Sequence, residues 1–182
     1  MVSGESGTVQ GLKVHLPSDV FQTVVASTPL VSIDLVVENG RGEILLGLRN
    51  DRPAQGCWFV PGGRILKRES LDAAFTRLAS DELGVETNRS SASFLDVFEH
   101  FYNDSVFGET PETHYVVLAY HLRQDLDLSR LPSSQHRDYR WWPQAEMAAS
   151  DRVHSNSRAY LSALKEITRH ANAREQQKGA KW

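Results

Sequence analysis

Cysteine is nearly missing from this sequence of 182 residues, which contains only Cys57. A disulfide within one chain is therefore excluded, and this cysteine usage fits a reducing compartment, so we expect a cytoplasmic protein. Long apolar runs are missing as well, since none approaches the roughly 20 residues that a membrane-spanning helix requires. The start of the chain lacks the charged and apolar regions of a secretory signal, and we expect residues 1–14 to form a flexible extension.

An excess of positive charge is also missing, since the formal net charge is −3. A non-specific nucleic-acid-binding protein is normally basic, so we expect neither nucleic-acid nor membrane partners. The composition, 40% hydrophobic and 24% charged, is typical of a globular protein with a core. We therefore expect one domain over residues 15–171, followed by a disordered tail at Asn172–Trp182.

Strand-like segments surround a few helical ones along the chain. Short apolar runs predict strands at Leu30–Val37, Glu43–Leu48, Trp58–Val60, Phe94–Phe101, His114–Leu122 and Asp138–Trp142. Helical spacing predicts a short helix within Leu16–Ser27 that is capped by Ser18, and a second helix at Ser70–Leu83 that is ended by Gly84. It also predicts a last helix at Ser157–Ala171, whose apolar anchors are Ala159, Leu161, Leu164 and Ile167. This order predicts an α+β fold in which a mixed β-sheet lies between helices.

The helix predicted at Ser70–Leu83 carries an acidic residue on its apolar side. At about 100° per residue, Glu82 lies only about 20° from Leu71, on the side that also carries Phe75 and Leu78. A buried carboxylate is unfavourable unless a cation or several donors satisfy it, and a bound metal ion would do so. The alternative is that the helix end frays and that Glu82 is solvated.

The residues before this helix, Pro61-Gly62-Gly63, favour the metal hypothesis. Glycine permits a close approach of the backbone, so a main-chain carbonyl can face the same ion as Glu82. Carbonyl and carboxylate oxygens suit Mg²⁺ or Mn²⁺ rather than zinc.

The segment Gly62–Val85 resembles the Nudix box, G-x5-E-x7-R-E-U-x-E-E-x-G-U, where U is a bulky aliphatic residue. The matching positions are Gly63, Glu69, Arg77, Glu82, Gly84 and Val85. Leu78 stands where the box has a glutamate, Asp81 replaces a second glutamate, and Ala79 is small for its aliphatic position. Typical Nudix enzymes bind several divalent ions through these carboxylates, so the loss at Leu78 implies fewer ions.

An altered box of this kind resembles that of the GDP-mannose mannosyl hydrolases within the Nudix superfamily. The similarity extends over about Leu16–Tyr160 and includes STPLVS, ENGRGE, RPAQGCWFVPGGR, HFY, THYVVL, QHRDYRW and NSRAY. Members of that family direct water to C1 of the sugar and release GDP and the free sugar with inversion. The resemblance implies the same Mg²⁺-dependent reaction on GDP-mannose, with GDP-glucose as an alternative substrate.

The resemblance also implies roles for individual residues. One Mg²⁺ (or Mn²⁺) per subunit would be held by the carbonyl of Gly62, by Glu82 and by Gln135. His136 would be the general base, because an imidazole with a pKa of about 6.5 suits deprotonation of water near neutral pH. A loop histidine taken alone is more often an ordinary surface residue, and it is the matching segment QHRDYRW that favours catalysis.

Further residues are implied in catalysis and substrate binding. Arg49 and Arg64 would contact the diphosphate, Asp34 and Tyr115 the sugar, and His100 would assist. Leu16 and Phe21 would lie near the nucleotide, together with His15, which stands where the family has phenylalanine. Arg77 is either a diphosphate contact or an orienting group for neighbouring carboxylates. The family is dimeric, so the resemblance implies a homodimer.

Two other functions remain as alternatives. The first is a conventional Nudix pyrophosphatase that attacks phosphorus in a nucleoside diphosphate sugar, because Asp81 retains an acid within the box. The second is a catalytically silent Nudix domain that acts as a ligand sensor. No residue distinguishes mannose from glucose, which differ only at C2.

Overall fold

The computed structural model describes residues 16–179, with side chains described for residues 16–169. The extension predicted at residues 1–14, and His15, lie outside the described residues. The strands within this range are β1 (Leu30–Glu38), β2 (Glu43–Arg49), β3 (Trp58–Phe59), β4 (Gly62–Arg64), β5 (Ser93–Tyr102), β6 (Thr113–Arg123) and β7 (His136–Pro143). The α-helices within it are α1 (Ser18–Ser27), α2 (Leu71–Leu83), α3 (Gln144–Ala149) and α4 (Ser155–Gly179).

Strand β1 lies at the centre of a mixed sheet with the order β3-β2-β1-β6-β5. It pairs in parallel with β6 and antiparallel with β2 and β4. Strands β3 and β7 pair with β2, and β5 pairs with β6, all antiparallel. The predicted α+β fold with a mixed sheet is confirmed.

The sheet separates two hydrophobic clusters. On one side, Ile33 and Leu35 of β1 pack with Phe75 and Leu78 of α2. On the other side, Val36 of β1 belongs to a cluster with residues of β2, β3, α3 and α4. Because β1 is buried on both faces, its apolar run is nearly continuous, as is usual for a central strand with a parallel neighbour.

Helix α2 ends at Leu83 as predicted and begins at Leu71, one residue later than predicted. The Ser70 hydroxyl accepts a hydrogen bond from the Ala73 amide at 3.2 Å, and Gly84 adopts the left-handed conformation with φ 66°. Leu71 is 39% exposed, so the buried stripe starts one turn later than predicted. Glu82 is only 2% exposed, which shows that the alternative of a solvated Glu82 on a frayed helix end is wrong.

Both terminal helices differ from the prediction. Pro17 is the N-cap of α1, and no side chain caps that helix, so the predicted cap at Ser18 is wrong. Helix α4 continues to Gly179, although the sequence led us to expect a disordered tail from Asn172. Ala159, a predicted anchor, is exposed, and its neighbour Tyr160 is fully buried instead. Between residues 16 and 179, no helix is both long and apolar enough to cross a membrane.

Candidate active site

A cleft of about 550 Å³ is lined by residues of six strands, helix α2 and the loops between them. The predicted site residues in its wall are Asp34, Arg49, Gly62, Arg64, Glu82, His100, Tyr115 and Gln135. Leu16, Phe21 and His136 are not part of the wall. The structure therefore brings together most of the residues proposed for metal, diphosphate and sugar.

Strand β4 is possible only because two of its three residues are glycines. It pairs with β1 so that Gly62 is opposite Asp34 and Gly63 is opposite Ile33. A Cβ atom on Gly62 would lie 2.6 Å from Asp34 Oδ1, and one on Gly63 would lie 2.7 Å from Leu78 Cδ2. Both distances are too short for real atoms, so glycine at these positions allows β1, β4 and α2 to meet at the cleft.

Glu82 projects from α2 into this wall. The Gln135 side-chain amide donates a hydrogen bond to Glu82 Oε1 at 2.5 Å, and His136 Nδ1 lies 3.8 Å from Oε2. Burial raises the pKa of Glu82 to about 7, against the opposing effect of the positive charge on Arg49. Among residues 16–169, no lysine or arginine forms an ion pair with Glu82, so a cation bound beside this carboxylate would be its main counter-charge.

The donor atoms around Glu82 fit a hard divalent cation. They are the carboxylate, the amide of Gln135 and the backbone of Gly62, all in the cleft wall. Within the described part of the chain, no group of three or more His, Cys, Asp and Glu side chains is placed to hold a metal. An ion at this site therefore depends on carbonyl and amide oxygens, and the Gln135 amide must turn so that its oxygen replaces its nitrogen.

Asp34 and His100 lie in the wall and share one partner, Tyr160 of α4. The Tyr160 hydroxyl donates to Asp34 Oδ2 at 2.7 Å and lies 3.2 Å from His100 Nε2. All three side chains are buried. Burial raises the pKa of Asp34 to about 7 and lowers that of His100 to about 4.

Four arginines line the cleft, and two of them, Arg49 and Arg64, are the predicted diphosphate contacts. Arg49 ends β2 and donates from Nε to the Pro53 carbonyl at 2.9 Å. Arg64 ends β4, and its Cζ lies 3.9 Å from the ring centroid of Phe21 in α1. Phe21, predicted near the nucleotide, thus contacts a residue of the wall without lining the cleft itself, and Leu16 is exposed.

Arg77 serves mainly as an internal brace. Its guanidinium donates to both oxygens of Glu69, at 2.7 and 2.8 Å, and to the Arg64 carbonyl at 2.9 Å. These bonds use Nε and Nη2, and Nη1 lies 3.6 Å from Asp81 Oδ2. The guanidinium is therefore held by protein acceptors and joins α2 to β4 and the loop between them. The structure therefore favours the orienting role for Arg77.

His136 lies behind the wall. It is the first residue of β7 rather than a loop residue, and it is 1% exposed. Gly47 makes room for it, because a Cβ atom there would lie 2.5 Å from His136 Cγ. Burial, followed by the charge on Arg49, lowers the pKa of His136 to about 4, so the imidazole is neutral at pH 7.

The hydrogen bonds of Tyr139 define which nitrogen of His136 carries the proton. The Tyr139 hydroxyl donates to the Pro132 carbonyl at 2.8 Å, and its oxygen lies 3.1 Å from His136 Nδ1. Because the hydroxyl has one proton, Nδ1 must be the donor in the second bond. Nε2 is then unprotonated, and it is buried without a hydrogen-bond partner.

Some cleft residues were missed in the sequence. Arg52 and Tyr102 line the cleft, and Arg52 lies 3.8 Å from Asp104 in an ion pair. Both residues lie in segments that carry the family resemblance, RPAQGCWFVPGGR and HFY. This resemblance was the only sequence feature that could have identified them. Tyr139 and Tyr160 support site residues from behind, and no local pattern distinguishes such a tyrosine from an ordinary core residue.

Comparisons with known proteins agree with this fold and cleft. The low-salt glycan biosynthesis protein Agl8 of Haloferax volcanii is 43% identical over 113 residues, which cover 62% of this chain and 70% of that protein. The MutT protein from Methanosarcina mazei Go1 has a TM-score of 0.61 and 19% identity, over 78% of this chain and 97% of that one. The MutT NUDIX hydrolase from Burkholderia pseudomallei has a TM-score of 0.60 and 25% identity, over 75% and 98%.

The model of the NUDIX domain matches residues 28–164. This range begins just before β1, ends within α4, and includes all the cleft residues described above. The chain belongs to the NUDIX domain family.

Proposed function

We propose that this Nudix hydrolase cleaves GDP-mannose, or a related GDP-hexose, into GDP and the free sugar by attack of water at sugar C1 with inversion. The observation that carries the proposal is Leu78, which is buried against Gly63 where a typical Nudix box has a carboxylate. The cleft wall then retains one deeply buried box carboxylate, Glu82, which suits one cation better than the several used for attack at phosphorus.

The cation site of this proposal consists of Glu82, Gln135 and the Gly62 carbonyl. These residues would hold Mg²⁺, which would supply a Lewis acid for the negative charge of the diphosphate. Arg49 and Arg64 also line the cleft, and their positive charge would stabilise the charge that develops on GDP. The Phe21 ring covers Arg64 and reduces its contact with water, which strengthens its electrostatic effect.

His136 is the proposed general base. Its Nε2 has a free lone pair, and its neutral form predominates at pH 7, so it is able to accept the proton that water loses. Because His136 lies behind Gln135, this role requires residues 133–136 to move towards the cleft when substrate binds. Gln135 and His136 are adjacent, so one movement of this segment repositions both the amide ligand and the base.

The sugar end of the proposed site contains Asp34, His100 and Tyr115. These residues line the cleft and offer acceptors and a donor to sugar hydroxyls. The name of the Haloferax relative refers to glycan biosynthesis, and a GDP-hexose as substrate is in keeping with it. The preferred sugar is determined by comparing kcat/KM for GDP-mannose, GDP-glucose and ADP-glucose.

Hydrolysis in ¹⁸O-labelled water tests the position of attack. We expect ¹⁸O in the free sugar and unlabelled GDP. Release of GMP and mannose 1-phosphate would instead identify a conventional pyrophosphatase. That alternative is supported by Asp81, a box carboxylate in the cleft wall. Absence of turnover with and without Mg²⁺, despite measurable GDP binding, would identify a ligand sensor.

A homodimer is also part of the proposal. The edge strand β5 exposes the apolar side chains of Val97 and Phe101, half or more of whose surface is accessible. Light scattering at micromolar concentration tests this assembly, and a monomer mass would contradict it.

A further inference from the structure

Tyr160 connects two elements of the cleft wall that are distant in the sequence. It lies in α4, whereas its partners Asp34 and His100 lie in β1 and β5, 126 and 60 residues away. The Tyr160 ring packs edge-to-face on Phe98 at 4.7 Å and is fully buried, so the position of the hydroxyl is defined by packing. The hydroxyl itself does not line the cleft.

The Tyr160 hydroxyl donates one of its two hydrogen bonds and must accept the other. A tyrosine hydroxyl has a single proton, and here it is donated to Asp34 Oδ2. The bond to His100 therefore requires that Nε2 carries a proton and donates to the tyrosine oxygen. Burial keeps the pKa of His100 near 4, so this imidazole is neutral at pH 7 and its Nδ1 has no proton.

We propose that Tyr160 is a positioning residue for the sugar end of the cleft, which holds the Asp34 carboxylate and keeps His100 in the Nε2–H form. Tyr160 binds Oδ2 of Asp34, and Oδ1 lies where a side chain on the paired residue Gly62 would stand, so glycine leaves this oxygen its room. His100 is left with an acceptor nitrogen in a residue of the cleft wall. A sugar hydroxyl is the matching donor, and this part of the inference rests on the proposed function.

The test uses Tyr160→Phe, which keeps the ring packed on Phe98 and removes only the hydroxyl. Long-range ¹H–¹⁵N spectra of histidine-labelled protein at pH 7.5 report which ring nitrogen carries the proton, and a His100→Gln spectrum assigns the His100 signals. We expect a single Nε2–H form in the wild type and a mixture of both forms in Tyr160→Phe.

Kinetics provide a second measurement on the same proteins. Loss of one hydrogen bond at the reacting end predicts a fall in kcat/KM for the GDP-hexose of about tenfold. The inhibition constant of GDP, which has no sugar, should be unchanged. Tyr120→Phe is the matched control, because Tyr120 is equally buried but lies in the cluster around α2; it should alter neither the His100 signals nor kcat/KM.

The outcomes separate this inference from the proposed function. A wild-type spectrum with the proton on Nδ1 of His100 would overturn the inference without any variant. An unchanged His100 spectrum or an unchanged kcat/KM in Tyr160→Phe would also overturn it. Failure of the wild type to hydrolyse any GDP-hexose would contradict the proposed function, whereas the histidine spectra would still decide whether Tyr160 controls the form of His100.

Discussion

Individual residues in and behind the cleft wall bind protons with affinities that differ from those of the same groups in water. Asp34 and Glu82 have pKa values raised to about 7, and His100 and His136 have values lowered to about 4. Burial of the side chain is the largest cause of each of these pKa shifts. Shifted pKa values of this kind concentrate at functional sites, because acid–base catalysis needs pKa values that are matched to the proton transfer.

His136→Gln tests the proposed general base directly. The substitution removes the free Nε2 lone pair but keeps a polar side chain, so we expect turnover of the GDP-hexose to fall by about 10²–10⁴-fold. The control is His114→Gln, since His114 stacks on Phe101 in the sheet and does not line the cleft. Steady-state kinetics at saturating Mg²⁺ measure both variants, and an undiminished rate in His136→Gln would remove this residue from the role.

Gly47→Ala tests whether the position of His136 matters. A Cβ atom on Gly47 would overlap the imidazole, with Cγ only 2.5 Å away, whereas one on Gly40 would lie 3.4 Å from Asp125 Oδ2. Overlap in a packed interior predicts a loss of about 1–3 kcal/mol in the free energy of unfolding, together with reduced turnover. Gly40→Ala is the control and should change neither. Urea unfolding and kinetics measure these effects, and normal turnover in Gly47→Ala would show that His136 tolerates displacement.

Local patterns predicted some of these residues and not others. Glu82 was identified because the helical period alone places it beside the apolar stripe. The assignment of Asp34, Arg49 and Gln135 depended on resemblance, since a single polar residue in a strand or loop carries no chemical signal. Tyr160 was missed, because its partner Asp34 is 126 residues away and no local spacing records that contact.

At the level of elements, the site depends on the junction of β4 with α2. Strand β4 was not predicted, because Gly62–Arg64 has too few side chains to show alternation and exists only through its pairing with β1. Helix α2 was predicted to within one residue, because its cap, its periodic apolar residues and its terminal glycine are all local features. Local signals therefore defined the helix, and tertiary pairing defined the strand next to it.

Arg77→Lys tests this junction. Lysine cannot reproduce the two bonds to Glu69 and the bond to the Arg64 carbonyl, so we expect the free energy of unfolding to fall by about 1–3 kcal/mol. The control is Arg41→Lys, which alters an arginine that also binds a carboxylate but has a side chain 73% exposed; it should change stability by less than about 0.5 kcal/mol. Equal effects in urea unfolding would contradict the bracing role.

In the molecule as a whole, the buried acids and histidines oppose each other in the pH dependence of stability. Asp34 and Glu82 bind protons more tightly in the folded state, so their contribution favours folding below about pH 4 and is lost as the pH rises towards 7. His100 and His136 bind protons less tightly when folded, so their contribution is present above about pH 6.5 and is lost as the pH falls towards 4.

Asp34→Asn removes one side of this balance. Asparagine retains an oxygen that accepts a hydrogen bond from the Tyr160 hydroxyl. Because asparagine does not ionise, the variant does not carry the cost of ionising a buried acid at high pH. The pKa of Asp34 rises from 3.8 to about 7, which predicts that the variant gains about 2–4 kcal/mol of stability relative to wild type between pH 4 and pH 8. Urea unfolding in EDTA at several pH values measures this difference, with the exposed Asp151→Asn as a control that should show no such trend. A stability difference between Asp34→Asn and wild type that stays constant with pH would show that Asp34 ionises in the folded protein as readily as in the unfolded chain. Some group other than Tyr160 and Arg49 would then have to stabilise the ionised Asp34 carboxylate.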